Sequence, residues 1–69
     1  MRQVRIETEY ITLGQLLKLT DCIDSGGQAK LFLAENEVLV NGAAEARRGR
    51  KLYRGDRVRV EGCGEFEIV

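Results

Sequence analysis

Residues 12–42 read TLGQLLKLTDCIDSGGQAKLFLAENEVLVNG, two short helical patterns followed by strict alternation. Thr12 precedes Gln15 by three positions, the form of a capping box that satisfies the first orphan N–H groups of a helix. Leu13, Leu16, Leu17 and Thr20 then recur at i, i+3, i+4 and i+7, so one face of a helix over roughly residues 12–20 is apolar. The pattern repeats with Ser25 before Gln28, and Ala29, Phe32 and Leu33 supply the inner face of a second helix. After it the period drops to two: Val38 and Val40 flank Leu39, and Asn41-Gly42 is a strong hairpin-turn signal.

Working outward, Val4 and Ile6 alternate with Arg5 and Glu7, which predicts a first strand over Arg2–Glu7. A strand from about Ala44 to Arg47 returns from the Asn41-Gly42 turn. Arg54-Gly55-Asp56 turns again into RVRV, with Val58 and Val60 inward and Arg57 and Arg59 outward. Gly62-Cys63-Gly64 makes another turn, and Phe66 and Ile68 alternate in a last strand. The order strand, helix, helix, strands gives an α+β fold: two short helices packed on one side of a small twisted, mostly antiparallel sheet. With 69 residues, the chain is expected to form a single domain over 1–69. Domains of this size bury only about 60% of the surface exposed by the unfolded chain.

Composition excludes several classes. The chain is 43% apolar and 32% charged, as suits a folded domain. No apolar run is long enough for a membrane span, and MRQVRIETEY lacks the apolar stretch of a secretory signal, so a cytoplasmic protein is expected. Outside a secreted setting, Arg54-Gly55-Asp56 is a turn and not an adhesion motif. There is no histidine, so neither a Ser-His-Asp triad nor a Cys-His pair can be assembled. Cys22 and Cys63 match no metal-ligand spacing, and four ligands for structural zinc are not available. Both cysteines are expected to be free thiols or small apolar fillers, because cytosolic thiols are usually reduced. No catalytic residues, metal or cofactor are expected.

The net charge of zero conceals an asymmetry. Residues 47–59 hold seven bases (Arg47, Arg48, Arg50, Lys51, Arg54, Arg57 and Arg59) against Asp56, a balance of +6, and the remainder carries −6. Arginine presents a planar fork suited to bidentate phosphate contacts, and one-sided basic footprints attract polyanions. Tyr53 lies among these bases and could stack on a base or ribose, or cap the core. Gly26 and Gly27 leave two readings open. They ease a tight interhelical turn, or they uncover backbone N–H groups for a phosphate at a helix start.

From about Thr12 to Gly62 this ordered set resembles the S4 RNA-binding domain, also called the alpha-L motif. The marks are Leu16 and Leu17 on the first helix, Ser25 with Ala29-Lys30 on the second, Val38-Leu39-Val40-Asn41-Gly42, and Gly55-Asp56 before a hydrophobic strand. The Ser-Gly-Gly start and RRGRKL look most like small stand-alone bacterial members. The resemblance implies recognition of structured RNA through the two-helix face and the adjoining hairpin. By position, Ser25, Gly26, Gly27, Gln28 and Lys30 would contact backbone phosphate, and Asn41 would hold the hairpin turn. Arg47, Arg48, Arg50 and Lys51 would line the same surface, and Lys18, Tyr53 and Arg54 complete the expected RNA-binding set. Many relatives carry a basic residue near Gly26 or Gly27, which this chain lacks.

The expected function is therefore non-catalytic RNA binding by a monomer, mainly through phosphates, on ribosomal RNA during ribosome assembly or on ribosomal particles. One alternative is a protein-interaction module using the basic surface. Another, a ubiquitin-like sulfur carrier, requires a flexible C-terminal Gly-Gly, whereas this chain ends Glu67-Ile68-Val69.

Overall fold

Thr12 caps the first helix as its position predicts. In the computed structural model, which describes residues 1–69, the Gln15 N–H donates to Thr12 Oγ1 (3.2 Å) and the Thr12 N–H donates to Gln15 Oε1 (2.8 Å). The helix, α1, runs Leu13–Leu19. It ends where Asp21 turns to φ 60°, with the Cys22 N–H donating to the Leu17 carbonyl at 2.9 Å and the Asp21 N–H to the Lys18 carbonyl at 3.2 Å. These two bonds satisfy carbonyls that a helix end would otherwise leave bare. Thr20 is buried, and its hydroxyl donates to the Leu16 carbonyl (2.8 Å). The second helical segment begins with a 3-10 turn over Gly26–Gln28 and continues as α2, Ala29–Glu35.

The strands are β1 (Arg2–Val4), β2 (Ile11–Thr12), β3 (Val38–Val40), β4 (Ala43–Ala44), β5 (Lys51–Leu52), β6 (Arg57–Val60) and β7 (Gly64–Ile68). Five form one sheet in the order β1-β7-β6-β3-β4, parallel between β1 and β7 and antiparallel elsewhere. β2 and β5 form a separate two-stranded antiparallel ladder. The β3–β4 turn places both Asn41 (φ 52°) and Gly42 (φ 85°) in the left-handed region, as a two-residue hairpin of this hand requires.

Register explains the core. Val38 lies opposite Val60, Val40 opposite Val58, and Val58 opposite Phe66. Residues opposed across a ladder share a face, so these side chains form one apolar patch. It joins Leu13, Leu16, Leu17, Ala29 and Leu33 from the helices in a buried cluster of 15 residues. Phe32, expected inside, is only partly buried at its margin. The other sheet face is polar, with Arg59 opposite Glu65 and Arg57 opposite Glu67.

Three further expectations change. The first strand stops at Val4, although Ile6 still turns into the core and its N–H bonds to the Val69 carbonyl (3.0 Å). The hairpin's return strand is only Ala43–Ala44, because the Glu45 carboxylate accepts the Ala46 and Arg47 N–H groups and takes the chain out of the ladder. The cysteines are not free: Cys22 and Cys63 form a disulfide with Cα atoms 5.9 Å apart. The exit of α1 sets Cys22 beside the β6–β7 turn, a proximity that exists only in the folded chain.

Candidate RNA interface

The basic loop between β4 and β5 is built around Glu45. One carboxylate oxygen accepts from the Ala46 N–H, the Arg47 N–H and Arg47 Nε; the other accepts from Arg47 Nη2 (3.1 Å) and Arg50 Nη1 (2.8 Å). The side chain is 8% exposed, whereas that of Arg47 is 77% exposed. The Arg47 guanidinium, then that of Arg50, then the Arg47 N–H hold the Glu45 carboxyl well below the usual carboxylate range. The same contact raises the Arg47 pKa. Glu45 thus fixes the loop and offsets part of its charge.

The far side of the loop is pinned to α1 by main chain. The Leu13 N–H donates to the Arg50 carbonyl (2.8 Å) and the Gly14 N–H to the Arg48 carbonyl (2.9 Å). These bonds occupy the first amides of α1, so its N-terminus has nothing left to offer an anion. They also turn loop carbonyls inward and leave side chains outside: Arg47, Arg48 and Lys51 are exposed. Gly14 lies at this approach, where a Cβ would make only ordinary van der Waals contacts. A Cβ there would sit 3.4 Å from the Arg48 carbonyl oxygen, 3.5 Å from Arg48 Cβ and 3.7 Å from Ala29 Cβ. Gly14 is therefore the point where the basic loop, α1 and the start of α2 meet, and sequence reasoning passed over it.

At the start of α2, the Gln28 carboxamide oxygen accepts from the Asp24 N–H (2.7 Å) and the Ser25 N–H (3.2 Å). Neither Gly26 nor Gly27 has positive φ, and a Cβ at Gly26 would meet nothing within 4 Å. At Gly27 the nearest atom would be Ser25 Oγ at 4.0 Å. The tight-turn explanation for these glycines therefore finds no steric need inside the chain. Lys30 is exposed on the first turn of α2.

Beyond the loop, an aromatic pair flanks the β2–β5 ladder, Tyr10 just before β2 and Tyr53 just after β5. The rings of Tyr10 and Tyr53 lie 5.8 Å apart at 48°, and Lys51 Nζ lies 4.9 Å from the Tyr10 ring centroid. A shallow depression is lined by Arg47, Gly49, Arg50, Lys51 and Tyr53. On the other side of Tyr10, a groove reaches Gln15, Lys18 and Leu19.

Arg47, Arg48, Arg50, Lys51 and Tyr53 are thus contiguous. The Ser25–Gln28 turn and Lys30 adjoin them through Gly14, and Lys18 lies across the tyrosine groove. Besides Gln28, Arg47 and Arg50, two further sequence-selected side chains are engaged within the chain. Asn41 donates from Nδ2 to Asp56 Oδ1 (3.0 Å) and accepts the Arg57 N–H on Oδ1 (2.9 Å). Arg54 donates to the Ile6 carbonyl (2.9 Å). Tyr10 and Glu45 were missed: Tyr10 stands in an acidic stretch, and Glu45 counts as an acid although it organises the bases.

The S4 domain profile matches residues 4–69. The chain is 62% identical over 66 residues to a Bacillus subtilis (strain 168) protein named "Probable ribosome maturation protein RlbA", covering 96% of this chain and 93% of that protein. It is 42% identical over 53 residues to the Escherichia coli (strain K12) "Putative RNA-binding protein YbcJ", covering 77% and 76% respectively. By profile match and by identity along nearly its whole length, the chain belongs to the S4 domain family.

Proposed function

We propose that this protein is a non-catalytic binder of structured RNA, acting as a monomer on ribosomal RNA during subunit assembly or on ribosomal particles. The observation that carries the reading is the loop at residues 45–50. Its carbonyls are consumed by α1 while Arg47, Arg48 and Lys51 face outward, so cationic side chains are displayed on a fixed backbone. The open Gly26-Gly27 turn lies beside them. Such a surface binds mainly through phosphates, which position a duplex without reading much sequence. Double-stranded RNA is recognised largely by shape and 2′-hydroxyls, a task suited to a rigid basic loop and a helix start. The names of the two relatives, one for ribosome maturation and one for RNA binding, support the same assignment.

The test is titration of RNA hairpins at several salt concentrations. Arg48→Ala is expected to lower affinity and to reduce the log–log salt slope by about 0.7 to 0.9 for the lost phosphate contact. Unchanged affinity and slope would move the contact surface elsewhere. Recovery of an RNase-resistant protein complex in place of RNA would favour a protein-docking role.

A further inference from the structure

The β2–β5 ladder is only two residue pairs long, Ile11 with Leu52 and Thr12 with Lys51. Ile11 and Leu52 are its buried members. The residues alternating with them, Tyr10, Thr12, Lys51 and Tyr53, form its outward face. Both tyrosines of the chain are there, 37% and 43% exposed, although Phe66 is buried in the core. Their backbones are fixed at both ends of the pair: Thr8 Oγ1 donates to the Tyr10 carbonyl (2.8 Å), and the Tyr53 N–H donates to Asp56 Oδ2 (2.8 Å).

We propose that the Tyr10–Tyr53 pair is a stacking seat for an unpaired nucleobase leaving the RNA helix beside the basic loop. The assignment rests on the RNA-binding reading above and adds a preference within it, for duplex interrupted by a bulge or ending in single strand. Three features select a base over a phosphate or a peptide. Lys51 Nζ covers one face of Tyr10, and the other Tyr10 face and the Tyr53 ring offer π surface beside Arg47 and Arg50, which can hold the flanking phosphates. The groove on the far side of Tyr10 is lined by Ile11 and the exposed Leu19, which add apolar surface for a flat base. Its polar rim keeps the Gln15 amide N–H groups and the Thr12 O–H free of the capping box to meet a base edge, and Glu9 and Lys18 carry opposite charges, so the groove itself does not favour a phosphate. Aromatic side chains stack on every base, so this seat confers preference for an unstacked nucleotide without reading which one it is.

The experiment compares a blunt RNA duplex with the same duplex carrying one bulged fluorescent adenine analogue whose emission falls on stacking. The intact protein is expected to bind the bulged RNA about tenfold more tightly and to quench it, since one stacked base contributes on that order. Tyr10→Ala and Tyr53→Ala should each lower bulged-RNA affinity and quenching by more than blunt-duplex affinity, so that the preference falls; Tyr53→Phe should retain the preference and the quenching. Equal affinity for the two RNAs, or equal losses on both in the alanine variants, overturns the stacking seat and leaves phosphate binding intact. Failure of the intact protein to bind either RNA overturns the RNA reading itself. Circular dichroism on each variant separates these results from unfolding.

Discussion

The basic block at residues 47–60 contains two surfaces that its composition does not distinguish. From Arg47 to Arg54 the chain is mostly loop, held to α1 through the Arg48 and Arg50 carbonyls, and Glu45 is the carboxylate paired with its side chains. From Arg57 to Val60 it is strand β6, whose valines enter the core. There the arginines stand on the open sheet face, Arg59 3.8 Å from Glu65 and Arg57 in register with Glu67. Similar residues therefore make a cationic display in one place and a mixed, nearly neutral face in the other. Topology decides this, because antiparallel pairing with β7 delivers an acid opposite each β6 arginine. Counting charges along the chain cannot separate the two halves.

The harshest way to break the contrast is to loosen the scaffold that both halves share. Cys22 leaves the helical layer and Cys63 lies three residues past the second half. On the chain-entropy view, Cys63→Ser should lower the unfolding free energy by up to about 4 kcal/mol, measured by urea denaturation without reductant. RNA affinity of the molecules still folded should hold, since Cys63 lies among Glu61 and Glu65 and not on the basic loop.

Asp56 divides the halves, and its removal should cost less. It accepts from the Tyr53 N–H on one side and from Asn41 Nδ2 on the other, while Asn41 in turn accepts the Arg57 N–H. Asp56→Ala leaves these donors without a fixed partner, so a loss of about 1–3 kcal/mol is expected, with faster amide exchange at Tyr53. A third comparison acts on function. Arg48→Ala should weaken hairpin RNA binding by about tenfold, roughly 1.4 kcal/mol, whereas Arg59→Ala should leave it unchanged. Equal effects at the two positions would erase the distinction between loop and strand.

The sequence made one of these halves easier to read than the other. RVRV alternates, and alternation alone places Val58 and Val60 inside and the arginines outside. The leucine face of α1, its capping box and the Asn41-Gly42 turn were equally legible, because each is a local pattern tied to a local hydrogen bond. The first half has no period. Its shape depends on Glu45 reaching Arg50 and on the Gly14 N–H meeting the Arg48 carbonyl, and neither contact leaves a spacing signature. The β2–β5 ladder is too short to alternate visibly, so Tyr10 was separated from Tyr53. The disulfide joins residues 41 positions apart that only tertiary packing brings together.

The smallest effect concerns how the loop itself is charged. Glu45 has a folded-state pKa depressed chiefly by the Arg47 guanidinium and then by that of Arg50. A carboxylate with a lowered folded pKa stabilises the native state above its unfolded pKa and loses that contribution as pH falls through the folded one. The loss should therefore begin below about pH 4.5, the ordinary value for this group, and continue through strongly acidic solution. Because Arg47 is largely exposed, solvent screens the pair and the contribution is modest. Glu45→Gln should give a shallower acid limb in denaturation-midpoint against pH, with little change near neutrality. In RNA titrations the same variant should steepen the salt slope, since Arg47 and Arg50 are then no longer partly neutralised by a carboxylate. A slope that falls instead would mean that Glu45 matters mainly for ordering the loop, so that the shape of residues 45–50 counts for more in binding than their net charge.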